Sequence, residues 1–259
     1  MLYRKYLKNQ FLSAAQYKLN TFLTAFAQVI INVGEVLAVW MLFGRFESVG
    51  EWGFYQSLLM MGIIYTSFSF TECFARGYDE FSKLIRTGQL DRMLIRPVNI
   101  HYQILGSKIE FSKIGRIILG ITISVIALIN LNADWNFYKV LVLIATYICA
   151  ICVVFGIFVI SATISIYTIE NYEFLNIITN GTKEVSYYPI NIYNKWLTRI
   201  FTFIIPVACF NYLPLSFIMG TGSLPQWLCA VSPLFGMLFV IPCIIVFNIS
   251  LKKYQGTGT

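Results

Sequence analysis

Five polar side chains stand out in a chain otherwise short of them. Thr21, Thr24, Gln28, Asn32 and Glu35 follow one another at spacings of 3, 4, 4 and 3, the repeat that places side chains on one face of an α-helix. Glu35 lies near the middle of the apolar stretch 21–43. A carboxylate at that depth can hold a cation, pass a proton or accept from hydroxyls. A charge near a bilayer centre costs about 3 kcal/mol on insertion scales, so Glu35 must be protonated, hydrated or paired. Gln28, Asn32 and Glu35 are therefore candidate pathway residues, and the alternative is a protonated carboxyl that only glues helices together. The sequence offers no lysine or arginine deep in another apolar stretch as a partner.

A second polar block is denser. In "LIRTGQLDRMLIRPVN", residues 84–99, Arg86, Asp91, Arg92 and Arg96 crowd together, with Gly88 and Pro97 as punctuation. Gly88 can end a helix in a left-handed cap, Asp91 can open the next, and Pro97 blocks its continuation. The expected form is a short helix–turn–helix, rigid enough to carry force. Close by, Glu72 and Arg76 make an i, i+4 pair, read as structural. His101 has no Asp or Cys pattern around it that would make it a catalytic base. Cys149 and Cys152 form C-x-x-C, but all 6 cysteines sit in or beside apolar runs, where a thiol acts as a small hydrophobe.

The elements that must hold these groups follow from composition. The chain has 259 residues, 58% hydrophobic and only 12% charged, with mean hydropathy +0.70. Soluble domains carry about 25% charged residues, so this is read as an all-α polytopic membrane protein in a lipid bilayer. Six spans are expected at 21–43, 53–74, 114–131, 137–161, 197–218 and 227–251, with the third starting as a helix before the membrane and the fourth running on towards Tyr167. All but Arg45 and Lys139 of the 19 lysines and arginines then fall on one side. That split predicts cytoplasmic termini in a bacterial plasma membrane, and it accounts for the +7 charge without nucleic acid. Residues 1–20 form an expected amphipathic interfacial helix, 75–113 a cytosolic segment and 170–196 a cytosolic loop, all within one transmembrane domain. The first apolar run shows no cleavage site and is expected to stay as a helix.

"FGRFESVGEW" followed by "IRTGQLDRMLIRPVN" resembles the permease subunits of ATP-binding-cassette exporters of the type-2 class, the six-span ABC-2 family transporter permease group. The shared "G-x-L-D-x-x-L-x-R-P" falls on Gly88, Leu90, Asp91, Leu94, Arg96 and Pro97, with Arg92 inside it. "YYPINIY", Pro206, Pro214 and the closing "YQGTGT" are similar to later features of the group. Tyr78-Asp79-Glu80 departs from it by making the entry to the segment acidic. The resemblance implies that residues 88–97 seat in a groove of a separate ATPase subunit, that a second permease subunit, identical or homologous, completes the pore, and that transport is export.

The chain has no G-x-x-x-x-G-K-[ST], so ATP hydrolysis belongs to a partner and no cofactor is expected. Two other classes compete. An ion-coupled secondary transporter would use Glu35, but it predicts carboxylates on several spans and inverted repeats. A membrane enzyme would need clustered His, Asp or Cys, and there is 1 histidine.

Overall fold

The computed structural model describes residues 2–46, 48, 52–131, 133–168, 172–188, 190–221 and 224–254. Its described residues form helices and turns in the order α1 (Leu2–Gln16), α2 (Lys18–Arg45), α3 (Phe54–Asp79), α4 (Phe81–Arg86), α5 (Gln89–Leu94) and α6 (Ile100–Ser107). A 3-10 turn at Phe111–Lys113 leads into α7 (Ile114–Asn130), followed by α8 (Phe137–Tyr167) and α9 (Tyr172–Ser186). Then come α10 (Lys195–Arg199), α11 (Tyr212–Met219), α12 (Gln226–Leu238) and α13 (Val240–Lys252). The protein is an all-α, multi-pass membrane protein with 5 long apolar helices, or 6 if one bent pair counts as a span.

α3 is the axis. It is buried along most of its length and is wrapped by α7 and α8, with α12 and α13 packed on α8. The α3–α7 crossing is close because small residues meet there. A Cβ on Gly120 would come within 2.5 Å of the Thr66 hydroxyl, and one on Gly62 within 2.2 Å of the Ser124 hydroxyl. Such contacts let backbones approach where lipid supplies no hydrophobic drive between helices. α2 lies at the rim with Phe22, Phe26, Ile30 and Trp40 exposed, as a lipid-facing helix should.

Three expectations change. The third span does not start as a longer helix: Lys108 and Glu110 are extended, and the Glu110 N–H donates to the Cys73 carbonyl at 3.1 Å. The side chains of Lys108, Glu110 and Lys113 all reach acidic or basic groups on α3 and α4's approach, and the extended segment is what brings them there. The stretch 197–218 is not one straight span. It breaks by 74° between 195–204 and 207–219, where Ile205 turns extended ahead of Pro206, as a residue before proline prefers. Residues 170–196 are not a loop throughout. They include α9, which starts beside the end of α8 and finishes against α2 and α3, as the contacts below show. The closing tail 255–259 and Pro189 of the tyrosine–proline motif lie outside the described residues.

Candidate functional site

The stripe on α2 turns one edge toward α3, α7 and α9. Asn32 is 3% exposed, and its side-chain amide donates to the Gln28 carbonyl one turn back. Glu35 is not alone. Tyr65 from α3 donates its hydroxyl to Glu35 Oε2 at 2.6 Å, and Tyr187, just past α9, donates to the same oxygen at 2.9 Å. The two rings meet edge to face at 5.5 Å. Lys183 of α9 brings its ammonium to 3.8 Å from Glu35 Oε1, and to 5.8 and 5.4 Å from the Tyr65 and Tyr187 ring centres. The arrangement is a carboxylate and two aromatic faces around one ammonium, a cage that favours cations.

α9 reaches this depth because it climbs through the bundle. It begins after Tyr167, whose hydroxyl donates to Ser250 near the end of α13 at 3.1 Å. It ends at Ser186, whose carbonyl accepts from Asn211 at 2.6 Å. The neighbouring Tyr212 ring lies 5.7 Å from Trp52 at the opposite end.

Where α3 leaves the apolar bundle, charges interlock. Glu72 binds Arg76 at 3.0 Å, Arg116 at 2.9 Å and Lys113 at 3.4 Å. Arg76 also takes Asp79 at 2.8 Å and Glu80 at 3.3 Å. Lys108 clamps Glu80 and Glu110, the latter at 2.8 Å. The i, i+4 pair expected from sequence is one edge of this knot. It also explains the acidic Asp79-Glu80: both carboxylates turn inward onto cations. Burial alone would raise the Glu110 carboxyl, but the Lys108 hydrogen bond, with Arg76 and Lys113 nearby, holds it below the usual carboxylate range. Burial works to lower the Lys108 ammonium, yet its bonds to Glu110 and Glu80 raise it overall.

The signature block forms the turn its residues foretell. Gly88 sits at φ +62 between α4 and α5, a left-handed conformation that costs little only for glycine. Leu90 is wholly buried and anchors α5. Asp91 faces the chain itself: it lies beside Tyr254, whose hydroxyl burial and then this carboxylate push up in pKa. Arg92, Leu94, Arg96 and Pro97 are exposed, as is Ile95 at 83%. Gln103 closes the segment by donating to the Met93 and Val98 carbonyls, both at 3.0 Å. His101 is a strut. Its Nε2 meets Asn248 Oδ1 at 2.9 Å on α13, and its Nδ1 meets the Tyr78 hydroxyl on α3. Since the Asn248 oxygen only accepts, the ring is assigned with its proton on Nε2 and accepts from Tyr78 at Nδ1.

Sequence reasoning placed Gln28, Asn32 and Glu35 on one face. It missed Lys183, Tyr65 and Tyr187, which meet Glu35 only through the fold, and it missed Arg116 and the charge knot. The "YYPINIY" stretch that contains Tyr187 was the available signal. In comparison with known proteins, the family described as ABC-2 family transporter protein fits residues 29–258. No curated protein matches. The chain belongs to the ABC-2 transporter family.

Proposed function

We propose that this member of the ABC-2 transporter family, a membrane component of ABC-type transport, is the permease subunit of an exporter. Two such subunits, identical or homologous, would form the pathway, and separate ATPase subunits would drive it. The charged end of the bundle then faces the cytoplasm of a bacterium, with both chain termini on that side. The α4–α5 turn is the coupling element. The observation that carries this reading is the split within the signature: Gly88 and Leu90 fix the turn, while Arg92, Leu94, Ile95, Arg96 and Pro97 stand outward. A turn held rigidly beneath and presenting two cations and apolar groups above suits docking into a partner groove.

The base of the turn is tied to the spans. Phe81 and Tyr78 both pack on Phe247 of α13, at 5.4 and 5.5 Å, and His101 bridges the same helix to α3. A displacement of the turn would reach two long helices without passing through a flexible linker. Gln28, Asn32 and Glu35, joined by Lys183, are the proposed pathway face.

Arg96→Glu should abolish stimulation of transport by ATP, or release the ATPase, while the chain still inserts and keeps its thermal stability. Asp91→Arg should instead disturb the packing of Tyr254 and lower stability as well. Co-purification with an ATPase encoded nearby, with ATP hydrolysis measured in vesicles, checks both. Wild-type coupled transport by Arg96→Glu would remove the turn from the coupling role.

A further inference from the structure

Hydrogen-bonding groups of both kinds go unmet in one layer of the bundle. Arg116 is 7% exposed. Its Nη1 binds Glu72, but its Nε and Nη2 find no partner among the described residues. The Gln28 and Asn32 side-chain carbonyls are likewise buried without a donor. The Lys183 ammonium makes no hydrogen bond among the described residues; its nearest counter-charge there is the 3.8 Å contact to Glu35. A buried unmet donor or acceptor is costly, and more so when it carries charge.

These groups are neighbours. A Cβ on Gly115 would meet Ala25 and Val29, so the start of α7 sits on the α2 turn that carries Gln28. A Cβ on Gly120 would meet Tyr65. Arg116 therefore lies one turn of α7, about 6 Å, toward the charged end from the level of the Tyr65 Cβ, whose ring carries the cage hydroxyl. A groove lies beside this layer and meets it at Gln28 and Lys113, with Arg116 and Glu35 behind its lining. The groove, of about 630 Å³, runs between α1, α2 and the 108–113 segment, lined on one wall by Thr21, Thr24 and Gln28 and on the other by Lys108, Glu110 and Lys113. Lys113 and Arg116 both reach Glu72, so Arg116 is the next residue inward on the same face of α7. On the other side of α2, the exposed rings of Phe22 and Phe26 stack at 6.1 Å.

We propose that this groove admits the headgroup of a zwitterionic amphiphile from the leaflet at the charged end, its anion on the free fork of Arg116 and its amine in the Glu35–Tyr65–Tyr187 cage. The proposal rests on the transport reading of the same residues and names the substrate class. A planar fork with two free N–H groups fits a phosphate or carboxylate bidentately. The cage already holds an ammonium, that of Lys183, which shows the charge it accepts. A headgroup amine would take that place, and the displaced Lys183 would turn to the anion. A phosphate and an amine on a two-carbon linker can bridge one helical turn. The Gln28 and Asn32 carbonyls would take the amine's remaining protons. A lone anion would leave those acceptors unmet, and a lone cation would leave the fork unmet. The acyl chains would stay in lipid along the apolar side of α2.

Native mass spectrometry of the purified full-length chain tests this with no ATP or partner, so failure to find an ATPase would not touch it. The probes are dioleoyl phosphatidylethanolamine, dioleoyl phosphatidic acid, a dioleoyl trimethylammonium lipid, dioleoylglycerol and inorganic phosphate. Phosphatidylethanolamine should be retained about tenfold more tightly than dioleoylglycerol, and more tightly than either lipid with half the headgroup. Arg116→Lys keeps a charge for Glu72 but loses the fork, and should erase the preference over the trimethylammonium lipid. Glu35→Gln should erase the preference over phosphatidic acid. Equal retention of dioleoylglycerol, or unchanged preferences in both variants, overturns the proposal. So does full displacement by inorganic phosphate, which would leave a free-anion site. Loss of ATP-driven transport with these preferences intact would overturn the transport reading alone.

Discussion

The charge knot around Glu72 and the cage around Glu35 use the same residue types at two depths, but they are built differently. In the knot every carboxylate has a cation, and Glu72 has three, two of them within 3.0 Å. In the cage the one carboxylate takes two phenol hydroxyls at 2.6 and 2.9 Å, while its cation stands off at 3.8 Å. A knot in which every carboxylate is ion-paired resists loss of an anion, since breaking one contact strands several cations. A cage held by neutral donors can exchange its cation at small cost. The first suits a fixed hub joining α3, α7 and the 108–113 segment, and the second suits a site that binds and releases.

That contrast is broken most easily at Glu72. Glu72→Leu would leave Arg76, Lys113 and Arg116 crowded with no central anion, and removing one partner of a buried pair costs about 3–5 kcal/mol. The variant should fail to accumulate or melt far below wild type in detergent. A near-normal melting temperature would show the knot to be a solvated face. Glu110 offers a smaller lever because its side chain is 22% exposed. Despite burial, its carboxyl is held below its ordinary value of 4.5 by the Lys108 hydrogen bond and the nearby Arg76 and Lys113 charges. A depressed folded-state pKa contributes stability that is fully present above the unfolded value and is lost as pH falls through the folded one. Thermal stability should therefore drop below about pH 4.5 more steeply in wild type than in Glu110→Gln. Parallel pH profiles would remove Glu110 from the linkage.

Gly88→Ala comes next. A left-handed residue with a Cβ costs about 1 kcal/mol, so melting should shift only slightly. The turn's outward residues would tilt, and ATPase coupling should fall further than stability does. Equal, small losses in both would mean that the shape of the turn is not what the partner reads.

The two regions were not equally legible in the sequence. The α2 stripe showed because it is local: one helix, one period, five residues. The Gly88–Pro97 turn showed because glycine and proline carry their backbone constraints with them. The cage did not show because Glu35 and Tyr187 are 152 residues apart. It was also hidden by the composition of α9. "YEFLNIITNGTKEVS" is too polar to read as a span, yet Thr179, Thr182 and Ser186 are buried. Their hydroxyls are satisfied within the helix, Thr182 by Ile178 at 2.7 Å and Ser186 by Thr182 at 2.6 Å. A helix packed against other helices can bury hydroxyls that lipid would reject, and hydropathy is blind to that difference. The broken 195–219 region was hidden by the opposite effect, since apolar composition alone does not reveal a bend at Pro206.

The smallest expected change in stability is the most informative about the cage. Glu35→Gln keeps the size and an acceptor oxygen, so Tyr65 and Tyr187 can still donate. What it removes is the charge opposite Lys183. A single hydrogen bond is worth about 1 kcal/mol net, and the 3.8 Å ion contact adds little to that, so melting should barely move. Substrate efflux should fall well below wild type if the cage receives a cationic group. Pairing Glu35→Gln with Lys183→Met sharpens the comparison. The coupling energy of that pair should be well under the value for Glu72 with Arg116, because the first lacks a hydrogen bond and the second has one at 2.9 Å. If the two coupling energies are equal, the cage is as locked as the knot. If, in addition, Glu35→Gln exports normally while Glu35→Leu loses stability, Glu35 is helix-packing glue and the pathway must run elsewhere.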